Sequence, residues 1–193
     1  MIFLKIISAV TLCLLTLSGQ AVGKTEVPPY KNKSLSIEKR VDDLMGRMTL
    51  REKVLQLQNR GAGRLDEIDR IFNGESFGCT HEMGTTAAEC ATMYKELQQY
   101  MLTKTRLGIP IITSAEGIQG ILQNNCTLFP HALAQGSTFN PALIQRMTEA
   151  AGEEAKVIGI HQILSPVLDI ARELRWGRVE ETFGEDPYLS LIH

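Results

Sequence analysis

The sequence predicts an α/β fold in which helices cover a parallel sheet, and three observations carry that expectation. Two short apolar runs, residues 109–113 and 162–167, are rich in β-branched residues and bounded by turn signals, as buried strands are. Each follows a stretch of helical apolar spacing that a glycine closes, Gly108 before the first run and Gly159 before the second. Each then empties into a polar loop, so the order reads helix, strand, loop, helix, strand, loop. Alternation of this kind implies parallel strands with helices outside. If the sheet closes into a barrel, function sits on the loops after the strands; if it stays open, ligands bind beyond the strand carboxyl ends.

At the amino terminus Lys5 precedes an apolar run over residues 6–17, and Gly19-Gln20-Ala21 supplies a small-x-small cleavage pattern. The run is shorter than the roughly 20 apolar residues a bilayer crossing needs, so residues 1–23 read as a secretory signal peptide. Residues 24–36, with Pro28-Pro29 and several lysines, form a solvated lead-in, and residues 37–193 form the domain. Ile37, Val41, Leu44, Met45 and Met48 recur at helical spacing. Thr49 with Glu52 makes a capping box that opens a second helix, with Leu50, Val54, Leu55 and Leu57 on its apolar side. Glycines at 61, 63, 74, 78 and 84 make residues 59–84 a loop-rich connection with one short helix near residues 65–72. Thr85-Thr86-Ala87-Ala88-Glu89 starts a long helix that reaches about residue 105. The apolar residues 127–134 are broken by Pro130, and Asn140-Pro141 starts a helix that reaches about residue 157.

At 193 residues with 44% hydrophobic composition, the chain can bury one sizeable core. Its formal net charge of −2 gives no electrostatic case for nucleic acid or an anionic membrane surface. Cys13 leaves with a cleaved signal, so Cys79, Cys90 and Cys126 remain, an odd count that permits at most one intramolecular disulfide. Cys79-Thr80-His81-Glu82 is only loosely a metal corner, because no second Cys/His pair stands at finger-like spacing, and no metal is expected. Gly61-Ala62-Gly63 lacks the third glycine of a dinucleotide fingerprint, so no nucleotide cofactor is expected either. Asn32-Lys33-Ser34 and Asn125-Cys126-Thr127 fit the glycosylation sequon, a pattern common by chance.

The densest chemistry follows the second strand, in residues 168–187. That loop holds Arg172, Arg175 and Arg178, the only tryptophan, Trp176, and six carboxylates. Guanidinium groups present a fixed fork of donors, carboxylates accept pairs of hydroxyls, and an indole gives a flat apolar face. The set suits a polyhydroxylated ligand; it equally suits a loop whose arginines and glutamates satisfy one another.

Four ordered blocks of this sequence resemble the N-terminal domain of glycoside hydrolase family 3. They are Ile109-Pro110-Ile111-Ile112-Thr113-Ser114-Ala115-Glu116-Gly117-Ile118-Gln119-Gly120, then Thr127-Leu128-Phe129-Pro130, then Ser137-Thr138-Phe139-Asn140-Pro141-Ala142-Leu143, and then the stretch from Ser165 through Arg175-Trp176-Gly177-Arg178 to Pro187. The resemblance implies the N-terminal part of a (β/α)8 barrel in a retaining β-glycosidase, such as a β-glucosidase or β-xylosidase. Retention needs a carboxylate nucleophile and an acid/base carboxyl about 5 Å away, working through a covalent glycosyl-enzyme. By the same resemblance Glu116 and Arg178 hold hydroxyls of the sugar in the cleaving subsite. Arg175 and Trp176 then fix the loop, while Glu180, Glu181, Glu185 and Asp186 partner the arginines and the next helix start. His131 and His161 read as packed or surface histidines, and Asp169 has no matching role.

Gln119 stands where the family commonly has histidine, and Glu173-Leu174 where Asp-Pro is usual. Glutamine still donates and accepts, so the loop can keep its geometry while subsite detail changes. About 170 residues after signal removal fall short of the roughly 250 of a complete barrel, so the resemblance implies an incomplete one. The family's Lys-His pair, its nucleophilic aspartate and its acid/base residue are accordingly expected beyond His193, and no catalytic residue is assigned within this chain. Two functional classes are open: part of a secreted or periplasmic β-glycosidase acting on β-linked glycosides, or a non-catalytic sugar-binding or degenerate domain that keeps Glu116 and Arg178.

Overall fold

The computed structural model describes residues 27–81 and 86–192. The proposed signal peptide and the start of the lead-in lie outside the described residues. The chain divides into two compact units, the first ending at Met48 and the second beginning at Thr49.

In the first unit, a 3-10 turn at Pro29–Lys31 precedes helix α1, Ile37–Arg47, which is capped by the Ser36 hydroxyl accepting from the Lys39 amide. The turn is not simply solvated. Tyr30 donates its amide to Asp43 at 3.1 Å and accepts from the Arg40 guanidinium at 3.0 Å, which ties the turn back to α1. The helix buries none of its residues, and Ile37 remains 69% exposed.

The second unit opens with helix α2, Leu50–Leu55, whose Thr49–Glu52 capping box forms as its spacing predicts. A short 3-10 turn then runs into α3, Ile68–Phe72, in the region expected to hold one short helix. Helix α4, Ala87–Lys104, begins with a second capping box, Thr86 with Glu89. A five-residue helix α5, Ala132–Gly136, follows Pro130. Helix α6, Pro141–Ile158, starts on the Asn140 side chain with proline in its first turn and stops at Gly159 in the left-handed conformation, φ 92°. Helix α7, Pro187–Ile192, follows the 168–187 loop.

Three short strands, β1 Cys79–His81, β2 Ile112–Glu116 and β3 Gln162–Leu164, form one parallel sheet in the order β1-β2-β3. Asn59 adds a single parallel bridge to Cys79 on the far side of β1. Strands laid down sideways in sequence order, with no reversal, are the arrangement of a barrel wall rather than of a doubly wound open sheet.

Three expectations are corrected here. Residues 59–84 contain a strand, β1, which glycine-rich surroundings and a three-residue length conceal. The first expected strand is displaced downstream: it begins at Ile112 and takes in Ser114, Ala115 and Glu116. Proline has no amide to give a ladder, and the Ile111 backbone is occupied by the Gln98 side chain, which donates to its carbonyl at 2.6 Å and accepts from its amide at 3.2 Å. The β3 region is also shorter than expected, ending at Leu164 ahead of Pro166.

Register fixes the two faces of the sheet. Thr80, Thr113, Ala115 and Ile163 face the helices, where Tyr94, Leu97 and Met101 of α4 and Ala155 and Ile158 of α6 complete the core. The alternate residues, Cys79, His81, Ile112, Ser114, Glu116, Gln162 and Leu164, share the opposite face. Ile112 on that face is 51% exposed, whereas its neighbour Thr113 is fully buried. The three cysteines at positions 79, 90 and 126 are free thiols.

Candidate functional site

The candidate residues gather at the carboxyl ends of the strands. Glu116 is the last residue of β2, opposite Leu164 on β3, so it belongs to the sheet rather than to the loop where sequence spacing put it. Gly117 follows it and lies against β3: a Cβ there would collide with the Ile163 side chain. The two strands therefore meet closely just past Glu116.

Arg178 lies in the loop after β3. Its Nε donates to both Glu181 oxygens at 2.9 and 3.0 Å and its Nη2 donates to the same carboxylate. Glu181 holds the Arg178 proton more tightly than usual, chiefly through that hydrogen bond, and the charges of Asp169 and Glu116 add to the effect. In return the guanidinium holds the Glu181 carboxyl below its ordinary range, with a smaller contribution from His131. Glu181 thus engages the Nε–Nη2 edge of the fork. Asp169 and Glu116 both lie within electrostatic reach of Arg178.

His81, at the end of β1, joins this group. Its Nε2 stands 3.9 Å from Glu116 Oε1, and its Nδ1 lies 3.2 Å from the Ser114 hydroxyl. Both side chains are partly open to solvent, 30% for His81 and 41% for Glu116.

Other residues of the loop behave differently from one another. Arg175 pairs with Glu173 two positions away and is 89% exposed, so it does not fix the loop to the body as expected. That pairing, from Arg175 above all, holds the Glu173 carboxyl down at about 2. Trp176 is half-buried, and Asp186 accepts from the Tyr188 amide at 2.8 Å, as expected for the start of α7. His161 is tied by Nδ1 to Thr113, whose hydroxyl is 2.7 Å away, and His131 is exposed at the start of α5. Neither reaches the Glu116 cluster through a hydrogen bond given by the described residues.

A cavity of about 250 Å³ lies between α6 and the loops after β2 and β3, lined among others by Gly117, Ile144, Met147, Ile163 and Phe183. Its walls are mostly apolar, and neither Glu116 nor Arg178 lines it. A polyhydroxylated ligand matches the strand-end cluster, where charged groups face solvent, better than this hollow.

The model of the glycosyl hydrolase family 3 N terminal domain matches residues 49–192. The chain belongs to glycosyl hydrolase family 3. It is 35% identical over 181 residues to a putative β-xylosidase of Formosa agariphila, covering 86% of this chain and 24% of the relative. It is 31% identical to a periplasmic β-glucosidase/β-xylosidase of Dickeya chrysanthemi, covering 84% of this chain and 28% of the relative. The solved structure of a β-glucosidase from Erythrobacter marinus superposes with a TM-score of 0.73 at 29% identity, over 86% of this chain and 23% of the other. The chain thus spans about a quarter of the length of these relatives.

Within family 3 the sheet is part of a TIM-type barrel wall, incomplete here, and the face carrying His81, Ser114 and Glu116 is its inner one. Glu116 and Arg178 are expected from the sequence, whereas His81 is not, because the segment around Cys79 reads as a loop. Alternation within that segment is the signal that could have found it: Cys79 and His81 flank the buried Thr80.

Proposed function

We propose that this chain supplies sugar-binding wall residues of an exported, retaining β-glycosidase that removes terminal β-linked glucose or xylose. The proposal is supported by the place of Glu116 at the end of β2 and of Arg178 in the loop after β3, within reach of the Glu116 charge, in a family 3 barrel wall. The Glu116 carboxylate accepts from two adjacent ring hydroxyls, while the free donors of Arg178 give to a third oxygen. Hydrogen bonds with a charged partner are about twice as strong as neutral ones. Those that tighten as the ring flattens toward an oxocarbenium ion lower the barrier rather than merely hold substrate.

Neither residue is the nucleophile. Both are engaged with the sugar, and the double displacement needs two further carboxyl groups, which we place outside residues 1–193. Export rests on the leader pattern in residues 1–23 and on the periplasmic relative. Among the described residues, no helix is long and apolar enough to cross a membrane.

The test uses the product of the complete reading frame with 4-nitrophenyl β-D-glucopyranoside and β-D-xylopyranoside. Hydrolysis of one or both is expected, and Glu116→Gln or Arg178→Ala should lower kcat/KM by about 10- to 100-fold, the worth of one charge-assisted hydrogen bond. Variants as active as the parent would remove the sugar-binding assignment. Turnover by the 193-residue chain alone would remove the placement of the nucleophile outside it.

A further inference from the structure

We infer that Glu181 is a positioning residue for Arg178, holding one edge of the guanidinium so that its remaining donors meet the sugar at a fixed angle. The inference rests on the sugar-binding reading of Arg178 given above.

The two residues stand three apart in sequence, and the local backbone makes that spacing count. Arg178 leads into a single 3-10 turn, Val179–Glu181, which is closed by the Glu181 amide donating to the Arg178 carbonyl at 3.2 Å. Side chains three apart on such a turn eclipse one another, so the carboxylate comes to lie beside the guanidinium. Both carboxylate oxygens take part, with Nε and Nη2 as the donors.

The turn is itself braced. Thr182, fully buried, donates its hydroxyl to the Val179 carbonyl at 2.8 Å and accepts from the Gly184 amide at 3.2 Å. The Gly184 carbonyl accepts in turn from the Ala171 amide at 3.0 Å, which ties the turn to the chain leaving β3. Gly136 of α5 approaches the next residue so closely that a Cβ there would stand 2.7 Å from the Phe183 carbonyl oxygen. Glu181 therefore rests on anchored backbone, and its side chain is 16% exposed against 60% for Arg178. The exposed partner takes its direction from the sheltered one.

An arginine side chain has four rotatable bonds, and binding must order all of them unless the protein has already done so. A two-point contact with a carboxylate fixes the plane of the fork as well as its place. Without that contact the guanidinium can turn toward Asp169, a further carboxylate whose charge it feels. Ordering the side chain beforehand lowers the cost of binding, so the effect falls on affinity for the sugar.

The test uses the product of the complete reading frame. Glu181→Gln keeps the volume but gives up the charge and one acceptor. It should raise KM for the 4-nitrophenyl glycoside by about threefold to fivefold, the effect of losing a partly exposed ion pair, with kcat little changed. Glu181→Asp keeps the charge but withdraws it by one methylene, and its KM should fall between those of Glu181→Gln and the parent. In an Arg178→Ala background Glu181→Gln should raise KM no further, because the group being positioned is gone.

A role confined to stability predicts instead that Glu181→Gln lowers kcat through a smaller active fraction, leaves KM unchanged, and costs as much without Arg178 as with it. Either that pattern or an unchanged KM overturns the inference while leaving Arg178 as a sugar ligand. A silent Arg178→Ala overturns the sugar-binding reading of Arg178, and the inference with it. Thermal unfolding of each variant identifies any that fails to fold; should Glu181→Gln be one, Glu181→Asp decides through its own coupling to Arg178→Ala.

Discussion

Gly117→Ala tests the strand geometry beneath the candidate site. The glycine does not have a positive φ, so alanine incurs no backbone strain there. The obstacle is steric. A Cβ would run into the Cγ2 methyl of Ile163, while the Ile163 Cβ and Ser165 Cβ lie at ordinary contact distances, 3.6 and 3.7 Å. Overpacking of this kind costs about 1–3 kcal/mol, and the strain falls where Glu116 pairs with Leu164. Ile163→Ala removes the offending methyl. A fully buried Ile→Ala change costs about 2–5 kcal/mol, and Ile163 is half-buried, so about 1–2 kcal/mol is expected. The double variant should then be more stable than the sum of the single effects predicts, by about 1 kcal/mol or more. Urea unfolding of the parent, both single variants and the double variant, followed by circular dichroism, measures the cycle. Additivity within about 0.5 kcal/mol would mean that Gly117 does not approach Ile163, and the β2–β3 register with its placement of Glu116 would be wrong.

Further outcomes follow from individual side chains. Arg106, hydrogen-bonded to Glu52, is the main cause that holds the Glu52 carboxyl at about 2 against an ordinary 4.5, with Thr49 helping and burial opposing. A depressed carboxyl stabilises the fold above its unfolded pKa and loses that stabilisation as pH falls through the folded value, so the window runs from about pH 4.5 down to about 2. Because Arg106 is 55% exposed, the effect is discounted to about 1 kcal/mol, and Glu52→Gln should flatten the melting temperature against pH in that window. Parallel curves for parent and variant would disprove the pairing. Thr80 is fully buried, and its hydroxyl has no partner among the described residues. Thr80→Val should therefore leave stability unchanged or raise it by up to about 1 kcal/mol, whereas a loss of that size in chemical denaturation would mean the hydroxyl is bonded.

Elements whose signals are local were legible in the sequence. Thr49 with Glu52, Asn140 with Pro141, and Gly159 each act within one helical turn, and the observed helix ends fall on them. Strands depend on partners far along the chain and were legible less well. β1 has three residues and no apolar run, and it exists because Ile112 and Ser114 pair with it from beyond a complete helix. Pro110 looked like strand because the residues around it are β-branched, yet it lacks the amide that pairing requires. The site followed the same division. Glu116 and Arg178 stand in blocks that carry the family resemblance, whereas His81 meets Ser114 across 33 residues of sequence, through register alone. Arg175 departs from its expected role because a charged residue in a dense loop can satisfy itself two positions away, as it does with Glu173.

The most direct test of the sugar-binding assignment is a titration of the isotope-labelled chain with methyl β-D-glucopyranoside and methyl β-D-xylopyranoside, followed residue by residue by NMR. Saturable shifts at Glu116, Gly117, Arg178 and His81 are predicted, lost in the Glu116→Gln variant. Shifts confined to the apolar hollow around Ile144 and Phe183, or to the opposite strand ends near Gly78 and Ile109, would contradict it.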